Sequence, residues 1–193
     1  DSLGSRGLGD VYKRQTHTGA VTITTDSDYT VTELKTINNK TDGAITLNDT
    51  TVALSGDATD LAVALAGTID HAGAVTVTTD SDYTLAELKT INNGTDGAIT
   101  LDDTTVALSG DATDLAAALA GTITHTGAVT VTTDSDYTAA ELLTIAGGTS
   151  GAITLNDTTV ALSGDASDLK TIFDENITTH TCLLYTSPEP TRP

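Results

Sequence analysis

The sequence lacks the residues on which several protein classes depend. Among 193 residues there is no Met and no Trp, one Cys, three Pro, and aromatics make up only 3%. A single cysteine, Cys182, cannot form an intramolecular disulfide, so no disulfide framework and no paired-thiol chemistry is available. Positive charge is equally scarce, with 8 Lys plus Arg against 27 Asp plus Glu and a formal charge of -19. A surface this acidic repels phosphate backbones, which argues against a nucleic-acid partner. The apolar runs fall far short of the ~20 residues of a membrane helix, and neither a span nor a secretory leader can be assigned.

The two ends stand apart from the rest. Asp10-Val-Tyr-Lys-Arg-Gln15 and Cys182-Leu-Leu-Tyr-Thr-Ser187 are encodable by reverse-complementary DNA, read one base out of frame. The match extends outward, with one inserted base, to Ser5–Gly9 and Pro188–Arg192. Protein termini have no physical reason to be complementary, and both resemble translated sequencing-library adapters. Residues 1–15 and 182–193 are therefore expected to be adapter-derived and disordered, and are excluded from fold reasoning as a fusion scar would be. Between them, residues 16–181 contain four lysines (Lys35, Lys40, Lys89, Lys170) and no Cys, Met, Trp or Pro. The absent start Met and the adapters together predict an internal fragment of a longer, metagenomic chain.

What remains is a tandem array. His17-Thr-Gly-Ala-Val returns as His71-Ala-Gly-Ala-Val and again as His125-Thr-Gly-Ala-Val, at equal spacing. Between 17–69 and 71–123 only seven positions differ, among them Thr18/Ala72, Lys40/Gly94 and Val63/Ala117. Repeat 1 spans 16–69 and repeat 2 spans 70–123; 124–181 holds repeat 3 and, from His180, the start of a fourth. A fixed period of this length is the signature of a repeat architecture.

Each period divides into two related halves. Thr30-x-x-Glu33, Thr84-x-x-Glu87 and Thr138-x-x-Glu141 are capping boxes, with Tyr29/Leu34 and its copies at staple positions. Asp57/Asp60, Asp111/Asp114 and Asp165/Asp168 mark the second helix, placing an acceptor at the cap and negative charge in the first turn. Gly67 and Gly121, with Asn176 in the third copy, supply a left-handed stop. Val75-Thr-Val-Thr alternates apolar and polar residues as a half-buried strand does. The halves are aligned by matching Ile123 to Ile153. The fold class expected is α/β: a repeat solenoid of short parallel strands and short helices, about two coils per 54-residue repeat. The alternative is a row of ββα units in which each strand pair closes as a hairpin. One unit buries little, so its stability should come from stacking on its neighbours.

Candidate chemistry is thin. His17, His71 and His125 would lie ~10 Å apart in a stack, too far to share a zinc ion, and they read as solvated turn residues. Asp26/Asp28, Asp80/Asp82 and Asp134/Asp136 have the oxygens for calcium, but not the Gly and Glu spacing of an EF-hand loop, and read as cap and surface charge. Thr22/Thr24, Thr76/Thr78 and Thr130/Thr132 resemble the ladders of ice-binding solenoids, yet occur once per two coils and read as ordinary strand threonines. Ser, His and Asp occur only in repeated contexts, with no unique constellation for catalysis. No catalytic, cofactor-binding or metal-binding residue is assigned.

Asp136-Tyr-Thr-Ala-Ala-Glu-Leu-Leu-Thr-Ile145 and Gly151–Leu169 resemble the tandem repeats of very large bacterial surface proteins, notably of marine cyanobacteria. The resemblance implies an adhesin-like, exported protein, extracellular or at the cell surface, whose repeats act as structural or adhesive spacers. The partners expected are adjacent repeats of the same chain, with cell-surface components or glycans beyond them. A calcium- or glycan-binding array acting through avidity is the alternative.

Overall fold

A computed structural model describes residues 17–24, 28–78, 82–132, 136–174 and 177. The expected adapter segments, Asn176 and the incipient fourth copy at His180 lie outside the described residues. Among the described residues the chain is mixed α/β, with eight strands and six helices. In chain order they are β1 Val21–Ile23, α1 Val31–Asn38, β2 Ile45–Leu47, β3 Leu54–Gly56, α2 Ala58–Ala64, β4 Val75–Val77 and α3 Leu85–Asn93. There follow β5 Ile99–Leu101, β6 Leu108–Gly110, α4 Ala112–Leu119, β7 Val129–Val131, α5 Ala139–Gly148, β8 Ile153–Leu155 and α6 Ala166–Asp174.

The helix starts form as the sequence predicts. In α1, α3 and α5 the Thr hydroxyl accepts from the amide of the Glu three residues on, and that Glu carboxylate accepts from the Thr amide. Both interactions satisfy donors that the first turn leaves open. Asp57 and Asp111 cap α2 and α4 by accepting from the amides of Asp60 and Asp114, each at 2.8 Å. After these helices Gly67 and Gly121 take φ of 80° and 73°, a conformation costly for any residue with a Cβ.

All paired strands are parallel, in small sheets ordered β1-β2, β3-β4-β5 and β6-β7-β8. The hairpin alternative needs antiparallel partners, and none forms among the described residues. β2 and β3 are neighbours in sequence yet belong to different sheets. Each three-stranded sheet takes its first strand from one copy of the repeat and its other two from the next. Single bridges add one rung to each sheet: Ile45 to Ile69, Ile99 to Ile123 and Ile153 to Ile177.

The register corrects the alignment of halves. Val129 pairs with Ile153, and Leu108 pairs with Val129; Ile123 does not pair with Ile153. The match that governs is Gly127-Ala-Val129 against Gly151-Ala-Ile153, which puts the glycines and the alternating apolar residues side by side.

Strands and helices share one core. Val75, Val77, Ile99 and Leu101 face it from a sheet, and Leu34, Leu61, Leu88, Leu115 and Leu142 from consecutive helices. Each helix packs against the next along the chain. A fully buried Leu is worth about 1.5–3 kcal/mol, and here each one is closed off by a neighbouring segment.

Candidate functional site

Buried polar groups gather at the residues that open each half of the repeat, just ahead of the Gly-Ala-Val and Gly-Ala-Ile motifs. The buried polar residues among those described are Thr41, His71, Thr95, His125 and Thr149. His71 and His125 are each only 1% exposed, so the expectation of solvated turn histidines is wrong for both. His71 Nε2 lies 2.8 Å from the Val52 carbonyl oxygen, and Nδ1 lies 2.9 Å from Thr95 Oγ1. His125 repeats this with Val106 at 2.7 Å and Thr149 at 2.9 Å. A carbonyl only accepts, so Nε2 carries the hydrogen and the neutral ring accepts at Nδ1 from the Thr hydroxyl. The ring thus ties the preceding copy, through residue 52 or 106, to the threonine that opens the second half of its own copy.

Burial holds both imidazoles below their ordinary pKa by disfavouring the cation, an effect partly opposed by the bond to the carbonyl. The glycine two residues on permits the approach: a Cβ on Gly73 would lie 2.3 Å from Val52 O, and one on Gly127 would lie 2.2 Å from Val106 O. Sequence reasoning missed Thr95, though a signal for it existed. His71-Ala-Gly-Ala-Val and Thr95-Asp-Gly-Ala-Ile are versions of one motif in successive halves, with His facing Thr.

Charged groups reinforce the same junctions. Thr59 donates to Glu87 Oε1 and Thr113 to Glu141 Oε1, each at 2.7 Å, while the other oxygen of each Glu makes the capping box. Within copies, Lys35 pairs with Asp60 and Lys89 with Asp114 across adjacent helices. Asn38 and Asn92 donate to carbonyls at the ends of α2 and α4, groups a helix C-terminus leaves open. The third copy has Leu143 and Ala146 in place of Lys89 and Asn92.

The tyrosines before the capping boxes are buried, and Tyr29 and Tyr137 donate to the carbonyls of Asp49 and Asp157 at 2.8 and 2.6 Å. Tyr83 Oη is buried with no hydrogen-bond partner. Burial, helped by the nearby Asp103 charge, pushes the Tyr83 hydroxyl up to about 12.

The other candidates do not converge. His17 is exposed, unlike its two copies. Asp28, Asp82 and Asp136 are exposed, while Asp26, Asp80 and Asp134 lie outside the described residues. Among the described residues no three His, Cys, Asp or Glu side chains come together as metal ligands. The threonines are denser than the sequence suggested. Thr22 pairs beside Thr46, and Ser55, Thr76 and Thr100 form one in-register row, as do Ser109, Thr130 and Thr154. Every strand contributes a hydroxyl, so the row is continuous within a sheet and ends where the next sheet begins. Also among the described residues, no helix is long and apolar enough to cross a membrane. Comparison with protein-family models, curated proteins and solved structures returns no match to this chain.

Proposed function

We propose that the copies stack as an α/β solenoid, two coils per copy, and that the array is a structural or adhesive spacer of an exported surface protein. The observation that carries this reading is that each three-stranded sheet is shared between two copies. A copy whose sheet is completed by its neighbour gains stability by extension, which suits a part whose product is length. The buried polar groups serve the same end: both buried histidines are spent on a backbone carbonyl and a threonine rather than aimed into a cleft. Catalysis has no place in this reading, and the binding partners of the whole protein belong to other segments of it. An extracellular or cell-surface location follows from the resemblance to bacterial surface repeats.

A glycan-binding array is the second reading, favoured by the in-register Ser/Thr rows. Thermal melts with and without calcium, together with a glycan array probed with the full chain, separate the two. The spacer reading expects an unchanged melt and no glycan bound. A calcium-dependent melt or a bound glycan class would replace it with the array.

A further inference from the structure

We propose that Asn93-Gly94 is a self-modification site, at which the main chain rearranges through a cyclic imide, and that the packing of α3 on α2 both gates the reaction and is loosened by it. The inference goes beyond the surface role proposed above and does not depend on it, since it rests on the chemistry of one dipeptide and its surroundings. Asn93-Gly94 is the single Asn-Gly pair in the sequence. In such a pair the glycine nitrogen, unshielded by any Cβ, attacks the carbonyl carbon of the Asn side chain. A new C–N bond closes a five-membered ring, and the side-chain nitrogen leaves as ammonia, taking the proton of the glycine amide. Water then opens the imide at either carbonyl, giving aspartate or isoaspartate. Neither an oxidant nor an enzyme is needed.

The fold controls when this ring can close. Asn93 is the exposed last residue of α3, and Gly94 behind it is buried. The Gly94 N–H donates to the Thr90 and Ile91 carbonyls, each at 3.1 Å, so its nitrogen is engaged while the last turn is closed. Attack therefore waits for that turn to open. The glycine is fixed by its packing: a Cβ at 94 would lie 2.4 Å from Leu65 O and 2.7 Å from Leu65 Cβ. Its φ of -92° shows that space, not backbone conformation, makes the demand. Gly148 meets the same constraint, 2.3 Å from Leu119 O, but follows Gly147, and Asn39 precedes Lys40. Asn48 and Asn156 precede Asp49 and Asp157, whose side chains shield the attacking nitrogen. Asp42-Gly43 and Asp96-Gly97 have the open nitrogen but offer a carboxylate, a poor electrophile, in place of the amide. Isoaspartate would lengthen the main chain by one methylene just before the residue that has no room beside Leu65. Both products add negative charge at the C-terminus of α3, where the helix dipole disfavours it. The adjacent Asn92 donates to the Ala117 and Ala120 carbonyls, so a displaced turn also disturbs α4.

The full chain, aged in mildly alkaline buffer with and without unfolding urea, tests this. The readouts are peptide mass mapping, isoaspartate labelling by an isoaspartyl methyltransferase, and thermal melting after return to native buffer. Residue 93 should lose its amide before Asn48 and Asn156, and about tenfold or more faster in urea than in native buffer, because closure needs an open turn. Converted wild type should melt at a lower temperature than fresh protein. Aged Asn93→Gln, whose longer side chain requires a six-membered ring, should keep both its amide and its melt. Equal rates in the two buffers would overturn the gating. Conversion led by another asparagine would overturn the site, and a converted chain that melts like the fresh one would overturn its effect on the packing.

Discussion

His17 and His71 open motifs that differ by one residue, Thr18 against Ala72, yet one ring faces solvent and the other is enclosed. The threonine that opens the second half is present for both: Thr41 still accepts from Gly43 N and donates to the His17 carbonyl. Among the described residues no carbonyl lies against the His17 ring as that of Val52 lies against His71. Glu33 and Glu87 differ in the same way. Both complete capping boxes, but among the described residues only Glu87 of the two also receives a hydroxyl from another copy, that of Thr59. The environment of these residues is set by the neighbouring copy more than by their own immediate sequence context, as the proposed stacking of copies requires.

The sharpest way to break this comparison is through the glycine shared by the three motifs. Gly73→Ala or Gly127→Ala drives a methyl into a backbone oxygen and should destabilise the chain by about 3 kcal/mol or more. Gly19→Ala meets only the ring of exposed His17 and should cost well under ~1 kcal/mol. Chemical denaturation of the three variants checks it, and equal losses would show that position in the array is immaterial.

Removing the ring comes next. His71→Ala or His125→Ala leaves a part-buried carbonyl without its donor and a cavity beside a threonine hydroxyl that keeps only its glycine partners, and should cost about 2 kcal/mol. His17→Ala should fall within ~0.5 kcal/mol of wild type by the same denaturation measurement.

Acidification probes the same rings. Their folded-state pKa lies below the ordinary 6.5, so the unfolded chain takes up the proton first. Their contribution is complete above 6.5 and is lost as pH falls toward and through the lowered folded value. Urea midpoints should therefore drop between pH 7.5 and 5.5, before the carboxylates of Asp49, Asp103 and Asp157 titrate. Those carboxylates are held low by hydroxyl and amide bonds from Thr51, Thr105 and Thr159. His71→Gln combined with His125→Gln should flatten that drop; an unchanged drop would assign it to other groups.

The smallest effect belongs to the partly exposed ion pair. Lys89→Ala should cost a few tenths of a kcal/mol, since solvent screens such pairs. The leucine that replaces this lysine in the third copy is consistent with so small a role.

Local structure was legible in the sequence wherever its cause is local. The capping boxes at Thr30, Thr84 and Thr138, the Asp57 and Asp111 caps, the left-handed Gly67 and Gly121, and the alternation of Val75-Thr-Val all appear as read. The failures concern contacts between copies. His71 looked solvated because its motif holds turn formers, and the Val52 carbonyl that encloses it lies 19 residues away in another copy. The halves were misaligned because Ile123 and Ile153 share an apolar pattern, whereas register follows the Gly-Ala-Val and Gly-Ala-Ile motifs, where the backbones approach most closely. Lys40 against Gly94 is one of seven differences in the sequence, and nothing there signals that the Leu65 carbonyl leaves no room for a Cβ at Gly94.

The most direct test uses one copy, residues 70–123, beside the full chain, both followed by far-ultraviolet circular dichroism on heating. Stacking predicts a sharp transition for the full chain and a largely unfolded spectrum for the single copy, which loses both the strand that begins its sheet and the carbonyl that holds His71. A single copy that melts as sharply, and at the same temperature, would contradict it.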